Sequence, residues 1–199
     1  MEQLSAYNPF IGQHLLTHAE GITADRAYIA HYVIPAAKAV AADTDYVLAA
    51  TALDADEVTV VTTGITNPPT PRVLSVTGSA DTAIGEVEIT GTDAAGAALS
   101  ETIVSTGAAT VVGTKAFATV TKITLPALAG ANGETISVGI AGAFGLPYKL
   151  PYDTVLKIYR DGTATTVASS SFSATVLAAN YIVPNLSLNG SQVDVFLIV

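Results

Sequence analysis

Cysteine and tryptophan are both absent from this 199-residue chain, and charged residues are scarce. Without cysteine the protein can form neither disulfide bonds nor thiolate metal sites, so its stability has to come from packing and association. Charged residues make up 13% of the chain, about half the usual share for a soluble domain. Because 50% of the residues are hydrophobic, we expect part of the surface to be covered in an oligomer or a particle.

Basic residues are also few: 8 Lys and Arg stand against 17 Asp and Glu, which gives a net charge of −9. An acidic surface repels phosphate backbones and anionic lipids, so we expect neither nucleic acid nor a membrane as a partner. No apolar run approaches the length of a transmembrane helix, and the first residues do not form a secretory signal. We therefore expect synthesis in the cytoplasm.

The first quarter of the chain differs in character from the rest. Gly12, Gly21 and Pro35 interrupt every candidate helix in this region. We therefore predict that residues 1–50 form an extended N-terminal arm with at most short helical turns, leading into a first strand. Residues 51–199 are predicted to form the β-domain, which could divide into two sub-sheets.

From Val58 onward, polar and apolar residues alternate with a period of two. In Glu86–Thr90 this alternation places Val87 and Ile89 on one face of a strand. Turn residues separate the strands at short intervals, and three dipeptides predict tight hairpins: Asn132-Gly133, Asp161-Gly162 and Asn189-Gly190. The pattern predicts an all-β fold, a β-sandwich or barrel-like domain of many short antiparallel strands.

Candidate chemistry is sparse. His14 and His18 would share one face of a helix and could hold a metal, although ordinary polar residues of an arm are the simpler interpretation. The acids around Asp43 and Asp54 could bind Ca²⁺, but they lack the EF-hand pattern and are explained as solvated turns: Asp43, Asp45, Asp54, Asp56, Glu57. No nucleophile elbow or phosphate-binding loop occurs. We predict that the protein is not an enzyme and binds no cofactor or metal.

Two carboxylates stand on one strand face and could imitate a glycosidase pair. Glu86 and Glu88 alternate with Val87 and Ile89, so both project to the same side. Any solvated strand face shows this alternation, which makes a catalytic role the weaker interpretation.

The last forty residues contain an unusual stretch. Residues 162–193 contain no charged side chain, and the chain then ends in the apolar Phe196, Leu197, Ile198 and Val199. A strand region without charge has little to discourage pairing at its edge. The stretch is either a surface solvated by Ser and Thr or a subunit interface that the C-terminal strand completes.

Several motifs resemble a group of structural proteins of tailed bacteriophages. The relevant residues begin with the turn Asn67-Pro-Pro-Thr-Pro-Arg72, which precedes the strand Gly85-Glu-Val-Glu-Ile-Thr-Gly-Thr92 and the segment Gly113-Thr-Lys-Ala-Phe117. The resemblance spans roughly residues 33–199 and rests on turn and strand motifs.

The resemblance implies a virion component, most naturally a capsid decoration (cement) protein. Such a protein would bind across major capsid protein subunits, on the capsid surface, as a homo-oligomer and most naturally a homotrimer. The candidate contacts come from the residues themselves and not from the family: Phe196–Val199, and Arg72, a rare cation in an acidic chain. Arg72 is expected to pair either with an acid nearby in the same chain or with the acidic surface of a neighbouring subunit. Two alternatives stay open: a phage tail or fibre component, and a host-surface carbohydrate-binding β-module that depends on Glu86 or Glu88.

Overall fold

The computed structural model describes residues 27–129, 131, 133–185 and 188–199, together with the backbone of Leu15–Leu16 and Thr23–Ala24. The all-β prediction is confirmed: 55% of the described residues are in strands, and none of them is in an α-helix. Two short 3₁₀ helices occur, at Ala36–Lys38 and Leu177–Ala179. Within this part of the chain, no helix has the length and apolar content needed to span a bilayer.

Sixteen strands are described, and every pair among them is antiparallel. In chain order they are β1 Leu15–Leu16, β2 Thr23–Ala24, β3 Ile29–Ile34, β4 Asp43–Ala52, β5 Thr59–Val61, β6 Arg72–Gly78, β7 Ile84–Thr92, β8 Ala98–Thr106, β9 Val111–Phe117, β10 Thr119–Leu125, β11 Thr135–Gly145, β12 Val155–Arg160, β13 Thr163–Thr165, β14 Val167–Ser171, β15 Tyr181–Pro184 and β16 Val193–Ile198.

Three sheets make up the body of the protein. Sheet I has the order β5-β10-β7-β8, and sheet II has the order β14-β15-β11-β6-β9, with β4 also paired to β11. Sheet III has the order β13-β12-β16-β3. The pair β1-β2 forms a separate two-stranded ladder.

The first hydrophobic core lies between sheets I and II. Strand alternation buries Val87 and Ile89 of β7 completely, as predicted, against β6, β10 and β11. The chain crosses between the two sheets at Ala118, the single residue between β9 and β10, whose N–H donates to the Thr92 carbonyl at 2.8 Å. Strand β8 at the edge of sheet I lies beside β9 at the edge of sheet II, and there the Glu101 carboxylate of β8 accepts the Thr114 N–H of β9 at 2.6 Å. Together these contacts close the sandwich along one side.

The second core lies under sheet III. It joins the inward side chains of β16 to the far end of β11 and to β15, and its fully buried members include Val193, Val195 and Leu197. Strand β11 contributes to both cores, because Ile140 packs in the first and Phe144 in the second. One continuous strand therefore connects the sandwich to sheet III.

The predicted arm differs from the structure where both can be compared. Strand β3 pairs with β16 in sheet III, and β4 pairs with β11, so residues 29–34 and 43–52 are parts of sheets. The alternating exposure of β3 explains why: Ile34 is buried in the second core while Ile29 faces outward. Apart from the β1-β2 ladder, residues 1–26 lie outside the described residues.

The hairpin predictions have three different outcomes. Asp161-Gly162 joins β12 and β13 with φ of 44° and 77°, the left-handed pair that a tight hairpin requires. Asn189-Gly190 is a turn but not a hairpin, because β15 before it lies in sheet II and β16 after it lies in sheet III. That prediction was wrong. For the third dipeptide, Asn132 lies outside the described residues.

Candidate functional site

The outward face of sheet III brings aromatic and charged side chains from three strands together. In β3 and β16, alternate residues point away from the second core: His31 is cross-strand partner to Phe196, and Val33 to Asp194. Strand β12 extends the face on the other side of β16, with Tyr159 opposite Asp194 and Lys157 opposite Phe196. The register of three strands thus brings these side chains together.

Aromatic rings form the middle of this face. The imidazole of His31 stacks on the Phe196 ring, with centroids 4.4 Å apart and planes 5° from parallel. Tyr159 meets the same Phe196 ring edge to face, with centroids 5.9 Å apart. Offset stacks and edge-to-face pairs are the favoured arrangements of aromatic rings, so each ring restricts its neighbour.

A hydrogen-bond network holds Asp194 beside the rings. His31 Nε2 lies 2.8 Å from Asp194 Oδ1, and it must donate because an ionised carboxylate only accepts. Gln192 Nε2 also donates to both carboxylate oxygens, at 3.2 and 3.1 Å. The Asp194 side chain is 14% exposed while that of His31 is 47% exposed. The Asp194 carboxylate is therefore held in place beside the aromatic rings by hydrogen bonds from His31 and Gln192.

Together these residues line a concavity of about 430 Å³, which we call the aromatic groove: His31, Lys157, Tyr159, Gly162, Asp194, Phe196. Its volume falls in the range of small-molecule sites, and its lining combines apolar surface with a few polar groups. The His31–Asp194 pair is two thirds of a hydrolytic triad. Among the described residues that line the groove there is no Ser, Thr or Cys. The lining combines apolar surface with donors and acceptors, an arrangement that can hold a small ligand.

The residues predicted from the sequence are divided by the structure. Phe196 and Ile198 are half-buried and face outward on sheet III, and Val199 is 41% exposed, with its backbone paired to Tyr28. Leu197 is fully buried in the second core. The alternation of β16 explains this division, and Leu197 is not available to a partner in this conformation. A partner contact by the other three stays a prediction.

Arg72 does not lie on the surface. Its guanidinium is fully buried and donates to the carbonyls of Ala141 and Val40, the latter at 3.0 Å, and it lies 4.6 Å from the centroid of the Phe144 ring. Burial lowers the pKa of Arg72 to about 10, so it stays protonated at neutral pH. Among the described residues, no carboxylate is within ion-pair distance of it. Instead of pairing with an acid, the Arg72 guanidinium links β6, β11 and the segment before β4.

The carboxylates considered for catalysis lie elsewhere. Glu86 and Glu88 are exposed on the outer face of sheet I, and Glu88 lies 4.0 Å from Lys122 across the strands. The described residues contain no group of three His, Asp or Glu side chains arranged to hold a metal. His14 and His18 lie outside those residues.

Sequence reasoning missed four residues as members of this site: His31, Lys157, Tyr159 and Asp194. Each looks ordinary in its own strand, and only the pairing of β3 with β16, across 163 residues, joins His31 to Asp194. The alternation of β16 was a usable signal, since it places Asp194 and Phe196 on one face. Comparison of the sequence and structure with protein family models, curated proteins and solved structures found no match.

Proposed function

We propose that this chain is a non-enzymatic structural component of a tailed-phage virion. In this role it decorates and stabilises the capsid by binding across major capsid protein subunits as a homo-oligomer, most simply a trimer. The observation that carries the proposal is the position of the residues on which the phage resemblance rests. They lie where strands cross or sheets join, so they determine the shape of the β-domain.

Three of these residues support that interpretation directly. Asn67 Oδ1 accepts the Val120 N–H at 2.7 Å and fixes the turn before β6 to sheet I. A Cβ on Gly91 would collide with the Thr119 carbonyl, and a Cβ on Gly113 would lie 2.6 Å from Glu101 Oε2. A side chain at Gly91 would displace the backbone of β10, and one at Gly113 would push the Glu101 side chain aside. A protein with these motifs is therefore expected to form a similar β-domain.

The surface chemistry of the sandwich also supports assembly. Several aliphatic side chains of sheets I and II and the loop before β5 are more than half exposed: Val58 59%, Val60 55%, Ile84 52%, Val104 51%, Val112 53%. Scattered apolar contacts of this kind are individually weak. Across several capsid subunits they act together, because each contact raises the effective concentration of the next.

Rebinding to capsids tests the proposal. Heads from which this protein has been stripped are mixed with the purified chain, and binding and heat resistance are then measured. We expect rebinding in a fixed ratio to the major capsid protein and higher resistance to heat. Val104→Asp places a charge on the exposed aliphatic surface and should weaken rebinding at least tenfold, whereas Ser170→Asp on exposed β14 serves as the control.

Two results would contradict the capsid proposal. The first is absence of the protein from purified heads. The second is labelling by electron microscopy that places the protein only on the tail or fibres. That result would favour the alternative that the protein is a tail or fibre component.

A further inference from the structure

The aromatic groove of sheet III is not explained by a role in stabilising a shell. Scattered aliphatic contacts suit a protein partner, but the groove combines a stacked pair of rings and a third ring edge to face with a fixed carboxylate, an ammonium group and a phenol hydroxyl. Polar groups that converge on an apolar floor are typical of a small-ligand site.

We propose that the aromatic groove binds a carbohydrate, namely a neutral hexopyranose unit of a surface glycan. A pyranose ring has a face of C–H groups and a rim of hydroxyls. The negatively charged faces of aromatic rings attract the slightly positive C–H groups, and three rings form the floor of the groove: Phe196, Tyr159 and His31. His31 and Phe196 each keep one face outside their mutual stack. The rim hydroxyls need donors and acceptors at the edges of that floor.

The polar rim supplies both. An ionised carboxylate has about four acceptor positions. Asp194 uses three of its acceptor positions for His31 Nε2 and Gln192 Nε2, so it retains one for a sugar hydroxyl. Lys157 and Tyr159 line the same groove and can donate to hydroxyl oxygens. Since His31 and Gln192 already hold the carboxylate, little side-chain entropy is lost on binding.

Charge decides in favour of a neutral sugar. The groove lining has one lysine and one aspartate, which offset each other, and the chain has a net charge of −9. A polyanionic ligand would be repelled at long range and would meet the Asp194 carboxylate at short range. An open groove that contacts a single ring is expected to bind with a Kd of about 1–10 mM. Many copies on a capsid would raise the overall affinity through avidity, and only this increase rests on the proposed function.

The test is an NMR titration of the purified full-length chain. Glucose, galactose, mannose and N-acetylglucosamine are the neutral probes, and glucuronic acid is the charged comparison. We expect at least one neutral sugar to bind in the millimolar range and to shift the amide signals of β3, β12 and β16. Glucuronic acid should bind more weakly than glucose.

Matched variants distinguish sugar binding in the aromatic groove from nonspecific binding elsewhere on the surface. Tyr159→Ala and Lys157→Ala should each weaken binding at least fivefold. Tyr152→Ala removes an aromatic side chain that is 68% exposed and outside the groove lining, and it should leave binding unchanged. Phe196→Ala removes the centre of the floor and should abolish binding, with the amide spectrum used to check that sheet III remains folded.

Several outcomes would overturn the inference: no binding by any neutral sugar, shifts confined to other sheets, equal losses in the Tyr152 and Tyr159 variants, or shifts of sheet III that depend only on protein concentration, which would indicate a second copy in the groove. The titration uses no capsids. A chain that binds sugar but not heads would therefore contradict the capsid proposal alone, and the reverse result would contradict only this inference.

Discussion

At the scale of single residues, Arg72 is a cation held inside the protein by carbonyl oxygens. Its planar guanidinium reaches Ala141 on β11 and Val40 before β4 at the same time. A lysine carries the same charge but cannot reproduce this fork. The shape of the side chain therefore matters here as much as its charge.

Arg72→Lys should lower the free energy of unfolding by about 2 kcal/mol, because at least one buried carbonyl loses its donor. The matched control is Arg160→Lys, since Arg160 donates to Asn189 Oδ1 at the surface and its replacement should cost less than about 0.5 kcal/mol. Urea unfolding followed by circular dichroism measures both. Equal losses in the two variants would show that the buried fork contributes nothing specific.

The aspartates near β4 should titrate in a defined order. The pKa of Asp45 is raised because its carboxyl group hydrogen-bonds to Asp43 and is repelled by it. The pKa of Asp54 is lowered because the N–H groups of Asp56 and Glu57 donate to it, at 2.9 and 3.1 Å. On acidification Asp45 should therefore take up its proton before Asp54.

The two shifts act oppositely on stability. The raised pKa of Asp45 contributes stability that is present below its unfolded pKa and lost as pH rises through the folded value. The lowered pKa of Asp54 contributes stability above its unfolded pKa, which is lost as pH falls. Asp43→Asn should lower the pKa of Asp45, since an amide can donate to the carboxylate. In the unmodified chain, carboxyl ¹³C NMR would contradict the predicted order if Asp45 titrated below Asp54. An unchanged Asp45 titration in the Asp43→Asn variant would contradict the effect of Asp43.

At the scale of elements, strand β11 shows how one missing side chain permits a crossing. A Cβ on Gly139 would lie 2.6 Å from the Thr44 Cα and closer still to the Asp43 carbonyl oxygen of β4. Gly142, three residues further along β11, has open space around its Cα. The two glycines of one strand thus have different reasons to be glycine.

Gly139→Ala should cost about 1–3 kcal/mol, because β4 would have to move away from β11. Gly142→Ala should be neutral or stabilising by up to about 1 kcal/mol, since it restricts only the unfolded chain. Thermal unfolding of the two variants provides the comparison. If both variants unfolded at the temperature of the unmodified chain, the close approach of β4 would not be a constraint.

Local sequence patterns predicted the strands well and the sheets poorly. The alternation at Val87 and Ile89, and the turn at Asp161-Gly162, depend on neighbouring residues and could be predicted. Asn189-Gly190 looked the same locally, yet its flanking strands belong to different sheets. The burial of Arg72 and the stacking of His31 on Phe196 depend on pairing between strands that are far apart in the chain. Local patterns in a single sequence do not show which strands pair.

At the scale of the whole molecule, β11 connects the two hydrophobic cores. Ile140 packs in the core between sheets I and II, while Phe144 packs under sheet III. Since the same strand would have to be released for either core to open, we expect both to unfold together.

Val195→Ala, in the second core only, should cost about 2 kcal/mol through the cavity it leaves. Hydrogen exchange should show faster opening in sheets I and III alike. The control is Ile198→Ala on the outward face of the same strand, whose effect should be smaller. Faster exchange limited to sheet III would mean that the two cores are independent units.

The pairing of β3 with β16 has a consequence for the newly made chain. His31 meets Asp194 across 163 residues, so β3 must wait until β16 has left the ribosome before its partner exists. Until then the inward residues of β3, such as Ile34, lack the side chains of β16 that pack against them in the second core. The sandwich of sheets I and II can form earlier, and the aromatic groove is completed last. A sugar ligand that stabilised the groove would therefore act on the final step of folding.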